Sequence, residues 1–191
     1  MEKYAKLLAV FRRVGRVHSR IKAQKLVYIL KSLGYPISEK FEYRNYGPYS
    51  EELASELRSS VNAAFLLEEK TEKEEVWSDE TVPYERYDYS VTPHGEEFLE
   101  TYLRRDPQLG PAVDQMATVA EDLNEYSPRQ LELIATIMFL EDQPVRDELI
   151  VPMIESLKPQ FTRKEIEEAR GVVNHLRSSQ SARAETTSSS Q

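Results

Sequence analysis

The sequence predicts an α+β fold, mostly α, on three observations. Apolar residues recur at helical spacing in segment after segment, from Tyr4, Leu7, Leu8 and Phe11 to Ile166, Ala169, Val173 and Leu176. Extended signals are few: Phe41 and Tyr43 share one face of a short segment, and Tyr87, Tyr89 and Val91 alternate with Asp88 and Ser90 at period two. The order is helices, then a hairpin, then a closing helix, with only helical patterns behind it. That order predicts a winged-helix-like core with a small hairpin wing, followed by a helical C-terminal extension.

Each element has a local cause. The first helix runs to about Val14 and stops at Gly15; Ser19 can cap the second, which spans about Ile21 to Leu33 with Leu26, Ile29, Leu30 and Leu33 on its buried side. Gly34 ends that helix, because glycine enters the left-handed conformation without a Cβ penalty. Lys22, Lys25 and Lys31 fall opposite the apolar stripe and are assigned to the outer face. Tyr46-Gly47-Pro48-Tyr49-Ser50 then joins a glycine, a ring-locked φ and a capping hydroxyl directly before Glu51-Glu52-Leu53, a turn feeding a third helix whose first-turn acids suit its dipole.

Glu68 to Glu85 is strongly acidic and is expected as an exposed loop or hairpin tip, with Phe65 to Leu67 pairing across it to the strand at Tyr87 to Val91. Thr92-Pro93-x-Gly95 opens the closing helix, with threonine as cap and proline at its first position. A helix near Pro111 to Glu125 follows. Ser127-Pro128 opens another in which seven of the ten residues from Leu131 to Leu140 are large and apolar. Leu149 to Leu157 forms a further stripe, expected to break at Pro152. Thr162-Arg163-Lys164-Glu165 is a capping box, and from Ser178 the Ser/Thr/Gln-rich chain has no apolar period. Residues 1–105 are thus the expected core, 106–177 the helical extension packed on it and 178–191 a disordered tail.

Composition narrows the function. With no cysteine among 191 residues, disulfides, thiolate catalysis and cysteine-ligated metal are excluded. No run of 18 apolar residues is present, so no membrane span is expected and the cytoplasm is the expected compartment. The net charge of −8 is unevenly spread: residues 1–60 hold 12 Lys/Arg against 6 Asp/Glu, residues 61–110 hold 5 against 13.

Catalytic patterns are lacking. His18, His94 and His175 stand singly, without the spacing of a metal site, and Gly34, Gly47 and Gly95 are isolated, without a phosphate-cradling loop. We therefore expect no enzyme, no cofactor and no metal. DNA is a possible partner for a winged-helix order, but the helix from Ser50 to Ser60 that would enter the major groove carries Glu51, Glu52 and Glu56 against Arg58 alone. A transcriptional regulator is accordingly the alternative and not the first reading.

The pairing of Gln24-Lys25-Leu26-Val27-Tyr28-Ile29-Leu30 with Tyr43-Arg44-Asn45-Tyr46-Gly47-Pro48-Tyr49 over about Gln24 to Leu57 resembles the YwgA-like proteins and, more distantly, the Panacea domain of SocA-like antitoxins. Both show a KLxYLL-type helix and then a YGP turn before the next helix. The resemblance to Panacea implies a protein that acts through contacts, neutralising a toxin or presenting a partner to other machinery. The expected function is a non-enzymatic protein-interaction module, antitoxin- or adaptor-like. Lys25, Arg44, Tyr46, Gly47, Pro48 and Tyr49 are the candidate partner-binding residues, because they combine side chains common at interface hot spots with a fixed turn. The apolar excess of Leu131 to Leu140 further suggests a homodimer built from the C-terminal helices.

Overall fold

The structure, a computed structural model, describes residues 1–77 and 80–188. Its elements follow in the order α1 (Glu2–Val14), β1 (Arg16–His18), α2 (Arg20–Ser32), β2 (Glu42–Arg44), β3 (Gly47–Tyr49), α3 (Glu51–Asn62), β4 (Leu66–Trp77), β5 (Glu80–Val91), α4 (Pro93–Arg105), α5 (Leu109–Asn124), α6 (Pro128–Glu141), α7 (Asp147–Leu157) and α8 (Arg163–Ser188). Helices dominate, and the strands form a three-stranded antiparallel sheet in the order β1-β5-β4 and a separate β2-β3 hairpin. The α+β, mostly α class is as the periodicities predict.

The β4-β5 pair is a regular hairpin. β4 pairs with β5 from Leu66↔Val91 out to Trp77↔Glu80, so most of the acidic segment is strand and not loop, and its tip lies outside the described residues. β1 was not foreseen. It adds to β5 through Arg16↔Ser90, Val17↔Tyr89 and His18↔Asp88, burying Val17 completely.

Caps set the helix ends. At the close of α2 the Gly34 N–H donates to Lys31 and the Tyr35 N–H reaches back to Leu30, with Gly34 at φ +89°, which is the Schellman arrangement. The end of α3 repeats these bonds, Ala64 to Val61 and Phe65 to Ser60, but with alanine in the left-handed conformation at φ +56°. Ser50, Thr92 and Ser127 each accept from a backbone N–H in the first turn of α3, α4 and α6. Pro152 does not split α7, because a proline there forfeits a single i−4 bond while Ile150, Val151 and Ile154 hold the helix to the core.

One hydrophobic cluster runs through both halves of the chain. α5 lies against α1 and α2, α6 against α2 and β3, and α7 and α8 pack on α6. Leu131, Leu133, Ile134, Ile137, Met138 and Leu140 are all buried by these neighbours. The homodimer expected from this helix therefore finds no free face on it. α8 continues into the expected disordered tail as far as Ser188, with the Tyr35 hydroxyl donating to Gln180 at 2.9 Å, and residues 189–191 of that tail lie outside the described residues. Low apolar content does not end a helix that already has a docked stem.

Two substitutions around Phe65 should move stability in opposite directions. Ala64→Gly removes a left-handed alanine and should add about 1 kcal/mol. Gly95→Ala would drive a Cβ into the Phe65 carbonyl and should cost about 2–3 kcal/mol. Urea midpoints at constant slope measure both; equal midpoints would refute the packing described here.

Candidate functional site

The predicted residues do meet, and they meet because α2 runs beneath the β2-β3 hairpin. From Lys22 to Leu30 every residue of α2 is buried, since α5, α6, β1 and β3 cover it from several sides. The outer face assigned to its lysines does not exist, which corrects the placement of Lys22 and Lys25. Lys22 instead donates to the Asn124 carbonyl at the end of α5, at 2.9 Å, where a cation suits the helix dipole.

Gln24 and Lys25 hold the backbone that follows Gly47. The Gln24 amide donates to the Ser50 carbonyl at 2.9 Å and accepts from the Ser50 N–H at 2.8 Å. Lys25, 1% exposed, donates its Nζ to the Pro48 carbonyl at 2.6 Å. Burial pulls its pKa down to about 8, with Lys158 lowering it further and Glu132 opposing. On the other side Lys158, at the end of α7, donates to the Asn45 carbonyl and pairs with Glu132 at 2.6 Å. Two buried lysines thus grip the turn at Asn45 and Pro48.

Gly47 sits at φ +81°, where an added Cβ would stand 3.0 Å from Thr136 Oγ1 on α6 and 3.7 Å from Lys25 Nζ. Both backbone angle and space require glycine there. Pro48 is buried and contributes its carbonyl, so neither residue offers a side chain to a partner. Tyr46 does, at 62% exposed. The Arg44 guanidinium lies 4.6 Å from the centre of the Tyr49 ring and pairs with Glu51 at 2.8 Å.

Between α2 and the hairpin lies a groove of about 560 Å³ whose walls include Arg20, Ile21, Gln24, Lys25, Tyr43, Arg44, Tyr46 and Tyr49. Five of the six predicted residues line it; Pro48 stands behind. Arg20 at its edge stacks on Tyr87, 3.7 Å from the ring centre, and pairs with Glu68 at 3.1 Å. The arginines have carboxylate partners, whereas Lys25 hydrogen bonds to a carbonyl. The groove therefore offers apolar wall, aromatic rim and one buried cation whose bonded partner is neutral.

Sequence reasoning missed Gln24, Lys158, Glu132 and Thr136. The signal for Gln24 is the low charge of Ile21 to Leu30, where two lysines are the only charged residues and a helix buried on several sides becomes legible. Lys158 and Glu132 had none, because they are brought in from distant sequence. Among the described residues no group of three or more His, Asp or Glu side chains could hold a metal ion. No described helix is long and apolar enough to cross a membrane.

Lys25 should leave a signature in the pH dependence of stability. Its folded pKa near 8 lies below the unfolded value of about 10.4, so between these values the unfolded chain binds more protons and stability rises with pH. Lys25→Met should cost about 1–3 kcal/mol near neutral pH by stranding the Pro48 carbonyl, and should lack this rise. Chemical denaturation of both proteins from pH 7 to pH 10 measures the difference; curves that stay parallel would mean that Lys25 does not titrate in this window.

No family model matches the chain. A protein of Bacillus subtilis (strain 168) described as "Uncharacterized protein YwgA" is 33% identical over 180 residues, a span covering 93% of this chain and 98% of that protein. A span of that length takes in the α2 and turn segments whose interlocking is described above. The chain belongs to the YwgA family.

Proposed function

We propose that this chain is a non-enzymatic protein-interaction module, antitoxin- or adaptor-like, on a winged-helix-like scaffold. Its groove beside Tyr46 takes an acidic segment of a partner protein. The observation that carries the reading is the combination of an exposed tyrosine on a backbone clamped by Gln24, Lys25 and Lys158 with a buried lysine bonded only to a carbonyl. A clamped turn loses little freedom on association, so contacts made there are not cancelled by ordering. A carboxylate entering the groove would give Lys25 a directly bonded counter-charge, Glu132 acting on it only at a distance, and Arg44 and Tyr46 are of the types that dominate interface energies.

The alternative is a winged-helix transcriptional regulator, favoured by the chain order α1-β1-α2-α3-β4-β5 with β1 at the edge of the sheet. Charge opposes it. Glu51 and Glu52 are exposed at the start of α3, although Glu56 is buried against Lys3 and does not count against a phosphate backbone.

In-cell cross-linking of the wild-type chain and the Arg44→Glu/Tyr46→Ala double variant tests the interaction reading. Both side chains are on the surface, so the melting temperature should stay within about 1 °C while a cross-linked partner protein is lost or weakened about tenfold. Cross-links that survive the double substitution unchanged would place the partner surface elsewhere. Titration with random duplex DNA at low salt should show no binding; micromolar affinity with a steep salt slope would establish the regulator instead.

A further inference from the structure

A second cavity, of about 330 Å³, shares no lining residue with the hairpin groove. It opens between the start of α1, the segment 36–39 and α3, and its walls are aliphatic: Leu7, Val10, Val27, Leu30, Leu53 and Met116. That volume is at the lower end of small-molecule sites, about 300–1,000 Å³. Two carboxyl groups stand in this apolar surround, Glu39 and Glu56, each on a residue only 5% exposed.

The two are unequally partnered. Glu56 pairs with Lys3 Nζ at 2.8 Å, and Lys3 is itself 45% exposed at the mouth. Glu39 accepts from Lys31 through its backbone carbonyl at 2.7 Å, and its carboxyl stands beside that of Glu56. Lys6 is engaged elsewhere, with the Pro36 carbonyl at 2.6 Å and Glu2 at 2.5 Å. α5 contributes only Met116. Met1, whose N-terminal ammonium acts on Glu2, also lines the cavity, and Lys3 is left as the lysine paired with a buried acid. Burial pushes the Glu56 pKa up to about 7, Lys3 opposing and Glu39 reinforcing, so near neutrality Glu56 retains part of its proton, which a better cation would displace.

We propose that this cavity binds a small primary alkylammonium, its cation seated between Glu39 and Glu56 in place of Lys3 and its aliphatic chain against the apolar walls. An anion would meet two buried carboxyls, and a neutral alcohol would leave them without a counter-charge. Seating the ammonium sends the Glu56 proton to solvent, so charge and protons balance. The site is independent of the partner groove.

Isothermal titration of the full chain with n-hexylammonium chloride, hexan-1-ol and sodium hexanoate tests it. Hexylammonium should bind one to one and about tenfold tighter than hexanol at about pH 8, with hexanoate silent. Its affinity should fall at about pH 6, where Glu56 keeps its proton, and heats in buffers of different ionisation enthalpy should report proton release near pH 7. Glu39→Gln should reduce hexylammonium to the affinity of hexanol. Lys3→Met should tighten hexylammonium severalfold, because the resident competitor is gone; a merely structural lysine would not do so. Should Glu39→Gln fail to fold, the ligand series and Lys3→Met decide on their own. Hexanol binding as tightly as hexylammonium, no hexylammonium binding at millimolar concentration, affinity that rises toward pH 6, or a weaker Lys3→Met complex would each overturn the proposal.

Discussion

The hydrogen bonds from Gln24 and Lys25 to the backbone of Pro48 and Ser50 tie the most distinctive part of the sequence together. A hairpin of two three-residue strands is too small to hold its shape in water by itself. Here its backbone is bonded to a buried helix on one side and to Lys158 on the other. Ser50, fixed by Gln24, is also the cap of α3. The direction of α3, the aim of Tyr46 and the floor of the groove thus depend on the same two side chains of α2. Burying an ammonium is unfavourable, and a carbonyl offsets that only in part, which is why the Lys25 charge is held weakly.

Much of this was legible in the sequence, element by element. The ends of α1 and α2, the capping of α3, α4 and α6, and the wing were read from glycine, hydroxyl and period-two signals. Local rules sufficed there because the causes are local. The lysines of α2 were misplaced because periodicity names the more apolar face of a helix and leaves the other to solvent, whereas α5 and α6 return from a hundred residues away to cover it. The reading of α6 erred in the complementary way: its apolar excess was recognised, but only the tertiary arrangement reveals that α2, α7 and α8 absorb it. β1 is three residues long, and no pattern of that length rises above chance.

Of the candidate site, the place was legible and the roles were not. Tyr46, Arg44 and Tyr49 present side chains at the groove, while Lys25, Gly47 and Pro48 belong to its frame. That division gives the glycine, the proline, the lysine and the glutamine a common purpose: the first two shape a backbone whose carbonyls the other two bond. Such a pattern reports the scaffold of a site more directly than its ligand.

The sheet also has a mechanical side. β1 accompanies β5 only over Asp88 to Ser90, while β4 and β5 continue outward for eight further paired positions, about 26 Å of ribbon with two free edges. Its root is Asp88, whose fully buried carboxylate gathers Arg16, His18 and Arg86 at 2.9–3.1 Å. Charged residues along the proximal ribbon, Glu69 and Lys70 among them, discourage other strands from annealing to those edges. A force applied at the far end is multiplied by the length of the arm and arrives at a single carboxylate shared by two arginines and a histidine, so the ribbon is a lever whose fulcrum is polar.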